Sequence, residues 1–142
     1  MLSTVIHFNG NCSEAIDFYK KVLGAVVKDI AYLKDASDTS WTEESLPPEF
    51  IMHSEVVIYG STLVMTDGSE TKPNGNNFSF MIVKNTVEEV TELYNKLLED
   101  GKMIEPLAPT FWASMYGMVE DRFGVTWQVM TGNTKTIKKE GK

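Results

Sequence analysis

His53 and Glu55 stand two residues apart in an apolar, β-branched run, so on a strand both side chains leave the same face. A histidine titrates near neutral pH, and a carboxylate beside it completes an acid/base pair able to move a proton on a substrate. The plainer alternative is a solvated pair at a sheet rim. Asp67 would add a second carboxylate and make a displaced donor set for a divalent ion if the three groups converge; otherwise it simply opens the turn Asp67-Gly68. His7, the other histidine, alternates with Ile6 and Phe8 and faces away from both. Trp112, Tyr116, Phe123 and Trp127 concentrate aromatic rings late in the chain, suited to stacking on a flat or apolar ligand or to packing a core. Cys12, the single cysteine, stands at a helix start where a thiol can be acidified, yet no basic residue adjoins it and it reads as inert.

The elements that position these residues follow from local signals. Leu2 to Phe8 predicts a strand ended by Asn9-Gly10. Asn11, with Glu14 three residues on, predicts an N-cap and capping box for a helix over 12–23, with Gly24 as its left-handed C-cap. Ala25 to Leu33 reads as a second strand. The polar stretch Lys34 to Glu49 contains Pro47-Pro48 and predicts a loop or short lid. Trp41, Phe50 and Met52 flank it as a lid, a dimer contact or a small cluster under a loop. Phe50 to Tyr59 and Thr62 to Thr66 predict a hairpin across Gly60-Ser61, closing at Asp67-Gly68.

Residues 67–77 hold no hydrophobic side chain and predict a linker. Phe78 to Val83 then reads as a strand, and Thr86 with Glu89 as a capping box. Val87, Val90, Leu93, Tyr94, Leu97 and Leu98 form a helical stripe ending at Gly101. Met103 to Leu107, Ala113 to Val119 and Val125 to Met130 complete the strands, the last two joined through Asp121-Arg-Phe-Gly124. On the last strand Trp127 and Val129 share one face, which assigns Trp127 to the core and Gln128 to the opposite face.

The order β-α-β-β-β thus occurs twice. Ala15-Ile-Asp-Phe-Tyr-Lys-Lys-Val-Leu-Gly24 aligns with Val90-Thr-Glu-Leu-Tyr-Asn-Lys-Leu-Leu98, with Gly101 two residues late. Two such units predict an α+β fold, a cupped mixed β-sheet with helices on its outer face and a ligand on its concave face. The chain reads as one domain over 1–142: unit one 1–66, linker 67–77, unit two 78–131 and polar tail 132–142.

The sequence has 142 residues, 42% hydrophobic and 23% charged, with a formal net charge of −7. That is the composition of a globular domain with room for a core. The acidic excess argues against nucleic acid or an anionic membrane surface as partner. One cysteine allows no internal disulfide, no apolar run approaches the roughly 20 residues of a membrane span, and Met1 to Gly10 lacks a signal-peptide pattern. A cytoplasmic location is expected.

Three blocks of sequence resemble the vicinal oxygen chelate superfamily of glyoxalases, extradiol dioxygenases and bleomycin-resistance proteins, and within it the PhnB-like branch. They are Phe8-Asn-Gly-Asn-Cys-Ser-Glu-Ala-Ile-Asp-Phe-Tyr-Lys-Lys-Val-Leu-Gly24; His53-Ser-Glu-Val-Val-Ile-Tyr-Gly60 through Val64-Met-Thr-Asp67; and Phe111-Trp112, Tyr116-Gly-Met-Val119, Asp121, Phe123-Gly124 and Trp127. The resemblance spans residues 1–131 and implies a glyoxalase-like fold and an isologous homodimer. Counted from Gly10 and Gly124, it places the superfamily's metal-ligand positions at Thr4, Val64, Phe78 and Gln128. Threonine and glutamine are weak oxygen donors, and valine and phenylalanine are none, so it implies the scaffold without its metal site and without a cofactor. By the same register Thr4, Ile6 and Phe8 face the cup, and His7 the helix side or an edge. The branch also carries a demethylubiquinone methyltransferase label, although no Gly-rich loop of a nucleotide-like methyl donor site is present.

Two functional readings stand beside each other. In the first, the chain binds a small apolar or aromatic molecule through Thr4, Phe8, Trp112, Tyr116 and Gln128, as sequestering resistance proteins do. In the second, it is a lyase or isomerase-type enzyme in which His53 and Glu55 are the catalytic acid/base pair. A third makes it a protein-interaction module.

Overall fold

A computed structural model describes residues 1–35, 47–68 and 77–132. Trp41, most of the expected linker and the lysine-rich tail lie outside the described residues. The elements are β1 (Thr4–Phe8), α1 (Cys12–Leu23), β2 (Val26–Tyr32), β3 (Ile51–Ile58), β4 (Ser61–Asp67), β5 (Phe80–Lys84), α2 (Val87–Leu98), β6 (Lys102–Ala108), β7 (Tyr116–Glu120) and β8 (Thr126–Thr131). Every strand and helix expected from the sequence is present, with ends shifted by a few residues.

The chain divides into two compact units, Met1–Lys72 and Pro73–Lys142. In the first the strand order is β1-β4-β3-β2, and in the second β5-β8-β7-β6. Both sheets are mixed in the same way. The first strand of each unit pairs parallel with the last, Thr4 opposite Leu63 and Phe80 opposite Trp127, while the other pairings are antiparallel. This is an α+β, glyoxalase-like arrangement of two similar units.

One helix covers one face of each sheet. α1 buries Cys12, Ala15, Ile16, Phe18, Tyr19 and Leu23 and packs on β3 and β4. α2 buries Val90, Leu93, Tyr94 and Leu97, mainly against β7 and β8. Beneath them the inward strand positions close the core: Val56, Leu63 and Met65 in unit one, Ile82, Val119, Trp127 and Val129 in unit two. Each such side chain contributes roughly 1.5–3 kcal/mol of burial free energy. Phe50 is buried with them, whereas Met52 is half-buried.

The two helices start differently. α2 forms the expected capping box: Glu89 N–H donates to Thr86 Oγ1 at 3.1 Å, and Thr86 N–H to Glu89 Oε1 at 3.2 Å. α1 begins at Cys12 as expected, but Asn11 makes no side-chain cap. Asp67 does that work across the sheet. Its Oδ1 accepts from Cys12 N–H and its Oδ2 from Ile51 N–H, each at 2.9 Å. The parallel register that sets Phe8 opposite Asp67 carries this carboxylate to the helix start, a long-range arrangement that local spacing does not encode. Asp67 therefore belongs to β4 and to the packing of unit one, not to a linker turn. The β3–β4 hairpin turns at Tyr59 and Gly60, with φ of 49° and 83°, the positive values that a tight two-residue turn requires.

Candidate binding site

Residues paired across neighbouring strands share a face, so the register fixes what each sheet presents on the side away from its helix. In unit one this open face carries His53, Glu55 and Val57 from β3, Val64 and Thr66 from β4, and Val5 and His7 from β1. His53 Nε2 lies 3.7 Å from Glu55 Oε2, with both side chains 47% exposed, so the expected pair forms and is wet. His7 Nδ1 and Thr66 Oγ1 are hydrogen-bonded at 2.8 Å.

The β1 face is the reverse of the expectation. Thr4, Ile6 and Phe8 stand opposite Leu63, Met65 and Asp67 on the helix side, and Phe8 is 3% exposed, while His7 lies on the open face. The count back from Gly10 assigned faces by position alone. Burial of the Phe8 ring decides instead, and it drives its whole parity set towards α1. Thr4 and Phe8 thus do not line the open face. Asp67, on the helix side and engaged by two backbone amides, is likewise separated from His53 and Glu55, so the displaced three-residue donor set does not assemble.

In unit two the open face carries Tyr116, Met118 and Glu120 from β7, Thr126 and Gln128 from β8, and Met81 from β5. Trp127 points the other way into the core, 2% exposed, and its Nε1–H donates to Asp121 Oδ2 at 2.9 Å. The same carboxylate accepts from Phe123 and Val125 N–H at 2.8 and 3.1 Å, tying the β7–β8 turn to the ring. On the open side lies a pocket of about 290 Å³ lined by Phe78, Ser79, Ile104, Met118, Thr126 and Gln128, with Asn77 at its edge. Tyr116 Oη donates to Gln128 Oε1 at 3.0 Å, and Gln128 Nε2 donates to Ser79 Oγ at 2.8 Å. Burial, and then the Glu105 carboxylate, push the Tyr116 phenol up from 10.0, so it remains a donor. The Trp112 ring tilts over Tyr116 at 5.4 Å and meets Phe111 edge-on at 4.9 Å, and Phe111 is 73% exposed.

The structure brings Trp112, Tyr116 and Gln128 side by side, with Gln128 lining the pocket and the two aromatic residues behind it. Ser79, Ile104, Met118 and Thr126 were not singled out. Alternation with the buried Val119 and Trp127 is a signal for Met118 and Thr126. Ser79 and Ile104 reach the pocket only through strand pairing, the long-range pairing of β5 with β8 and the shorter pairing of β6 with β7.

The residues at the positions implied for metal ligands do not fit a divalent ion. Val64 and Phe78 have no donor atom, Thr4 points to the helix side, and Gln128 is a weak neutral donor whose amide oxygen already accepts from Tyr116. Among the described residues no three His, Cys, Asp or Glu side chains are grouped to hold a metal. The strand-to-helix junctions likewise do not fit the phosphate- or carboxylate-bearing end of a nucleotide-like methyl donor, because Asp67 occupies the first helix start and Glu89 closes the second. Among the described residues no helix is long and apolar enough to cross a membrane.

Residues 1–130 match the family described as 3-demethylubiquinone-9 3-methyltransferase. Protein YjdN of Escherichia coli strain K12 is 32% identical over 136 residues, which are 90% of this chain and 92% of that protein. Among solved structures, a PhnB protein from Bacillus cereus is 21% identical with a TM-score of 0.76, covering 92% of this chain and 98% of that one. The fosfomycin resistance protein FosX of Mesorhizobium loti shares the fold at 10% identity and a TM-score of 0.65, covering 100% of this chain and 97% of that one. The chain belongs to the family described as 3-demethylubiquinone-9 3-methyltransferase, and it shares the fold of the PhnB and FosX structures.

Proposed function

We propose that this protein binds a small apolar or aromatic molecule on the open face of its second sheet, without a metal at the positions the superfamily uses. The observation that carries the reading is the pocket beside Gln128: apolar walls from Phe78, Ile104 and Met118 surround a few fixed polar groups. That combination is the usual make-up of a small-molecule site, and about 290 Å³ stands near the lower end of the usual size range. Thermal unfolding of EDTA-treated protein against a panel of small aromatic compounds tests it. A ligand at 100 times its Kd adds about 2.7 kcal/mol, a rise of roughly 5 to 10 °C at this chain length. Met118→Trp, which fills the pocket, is expected to abolish the rise. A rise that needs added Mn²⁺, Ni²⁺, Zn²⁺ or Fe²⁺ would overturn the metal-free part of the reading.

A second reading rests on the 3.7 Å approach of His53 to Glu55 on the open face of the first sheet. There the pair would transfer protons on a carbonyl-containing substrate, as a lyase or isomerase does. Turnover lost in His53→Ala and intact in Met118→Trp would make it the better account.

A further inference from the structure

The hydrogen bonds in the pocket run in one direction. The Tyr116 phenol donates to the Gln128 carbonyl oxygen, and the Gln128 amide nitrogen donates to the Ser79 hydroxyl. A hydroxyl that accepts in this way still has its own O–H to give, and the amide nitrogen retains a second N–H. Polarisation along such a chain strengthens the terminal donor. Thr126 adds another hydroxyl to the lining, while Phe78, Ile104 and Met118 supply the apolar surface. Charge around the pocket narrows the choice. Glu105 stands opposite Met118 on the neighbouring strand and Glu120 opposite Thr126, with Lys102 across from Glu120. A ligand carboxylate placed there has like charges on the neighbouring strand positions.

Building on the pocket reading above, we propose that the ligand is a neutral molecule with an apolar body and one carbonyl-type oxygen, which accepts hydrogen bonds from Ser79 Oγ and the free Nε2–H of Gln128. The oxygen completes a donor chain that the protein already holds in place, and the rest of the molecule covers Phe78, Ile104 and Met118.

Three matched probes test this on the full chain: acetophenone, ethylbenzene and benzoate, each titrated while the Gln128 side-chain amide and the Ser79 backbone amide are followed by NMR. Acetophenone is expected to bind roughly tenfold tighter than ethylbenzene, the worth of about one hydrogen bond, and tighter than benzoate. Ser79→Ala, a small change at a half-buried position, should reduce that advantage and leave ethylbenzene affinity unchanged. Equal affinities for acetophenone and ethylbenzene, or preference for benzoate, would overturn the inference while the pocket reading stands. Absence of saturable shifts with all three probes would overturn the pocket reading, and the inference with it.

Discussion

Asp67 and Cys12 show how one long-range contact fixes the chemistry of a residue. The Asp67 carboxylate binds the Cys12 amide and brings its negative charge beside the thiol, which is itself fully buried. Burial first, and the Asp67 charge second, push the Cys12 thiol from 9.0 to about 12. The helix start that lowers a thiol pKa elsewhere is here outweighed. This makes a pH prediction. Between pH 9 and 12 the unfolded chain has released the thiol proton and the folded chain has not, so stability falls as pH rises through that window. Urea unfolding of wild type and Cys12→Ala at pH 7.5 and 10.5 is expected to show an extra loss of about 2 kcal/mol in the wild type at the higher pH. Parallel loss in the two proteins would show that Cys12 is not the group responsible.

Elements were readable from the sequence where their signals are local, and ambiguous where they depend on partners. The capping box of α2 and the glycine end of α1 lie within a few residues of the elements they bound, and both form as expected. The face of β1 was not readable, because Val5, Ile6 and Phe8 place apolar side chains on both parities and His7 offers no decision. Only α1 and β4 choose between them. The pocket was half readable for the same reason. Tyr116 and Gln128 alternate with buried neighbours on their own strands, while Ser79 and Ile104 join them through pairing. Gly117 shows what such pairing demands of a sequence. A Cβ at this position would lie 2.5 Å from Tyr94 Cε2 and 3.1 Å from Leu107 Cδ2, and Tyr94 is held by its own hydrogen bond to the Glu105 carbonyl at 2.9 Å. Gly117→Ala is therefore expected to destabilise the protein by roughly 1–3 kcal/mol through overpacking between β7 and α2. Combined with Tyr94→Leu, which removes the ring, the alanine should cost far less, and a double-mutant cycle on denaturation midpoints reads the difference. Additive effects would place the cost of the alanine in the backbone of β7 rather than in the ring.

At the scale of the whole molecule, the two units repeat a topology without repeating a chemistry. Through the shared register, His53 of unit one corresponds to Tyr116 of unit two, Glu55 to Met118, and Val64 to Gln128. The first unit thus presents the ionisable His53 and Glu55 where the second presents the neutral Tyr116 and Met118, with Tyr116 hydrogen-bonded to Gln128. Each strand order leaves one helix-free face, so the fold accommodates either chemistry, and the residues decide which face a ligand prefers. The two functional readings consequently differ in where a bound molecule should slow exchange of backbone amides. A ligand seated beside Gln128 removes solvent from β5, β7 and β8 and stabilises their hydrogen bonds against local opening. Hydrogen exchange of the full chain with and without a compound that raises the unfolding temperature is expected to show added protection in 80–84, 116–120 and 126–131. The hairpin over 51–67 should stay within error of the free protein. Protection centred on 53–57 would place the ligand against His53 and Glu55 and make proton transfer by that pair the function to pursue.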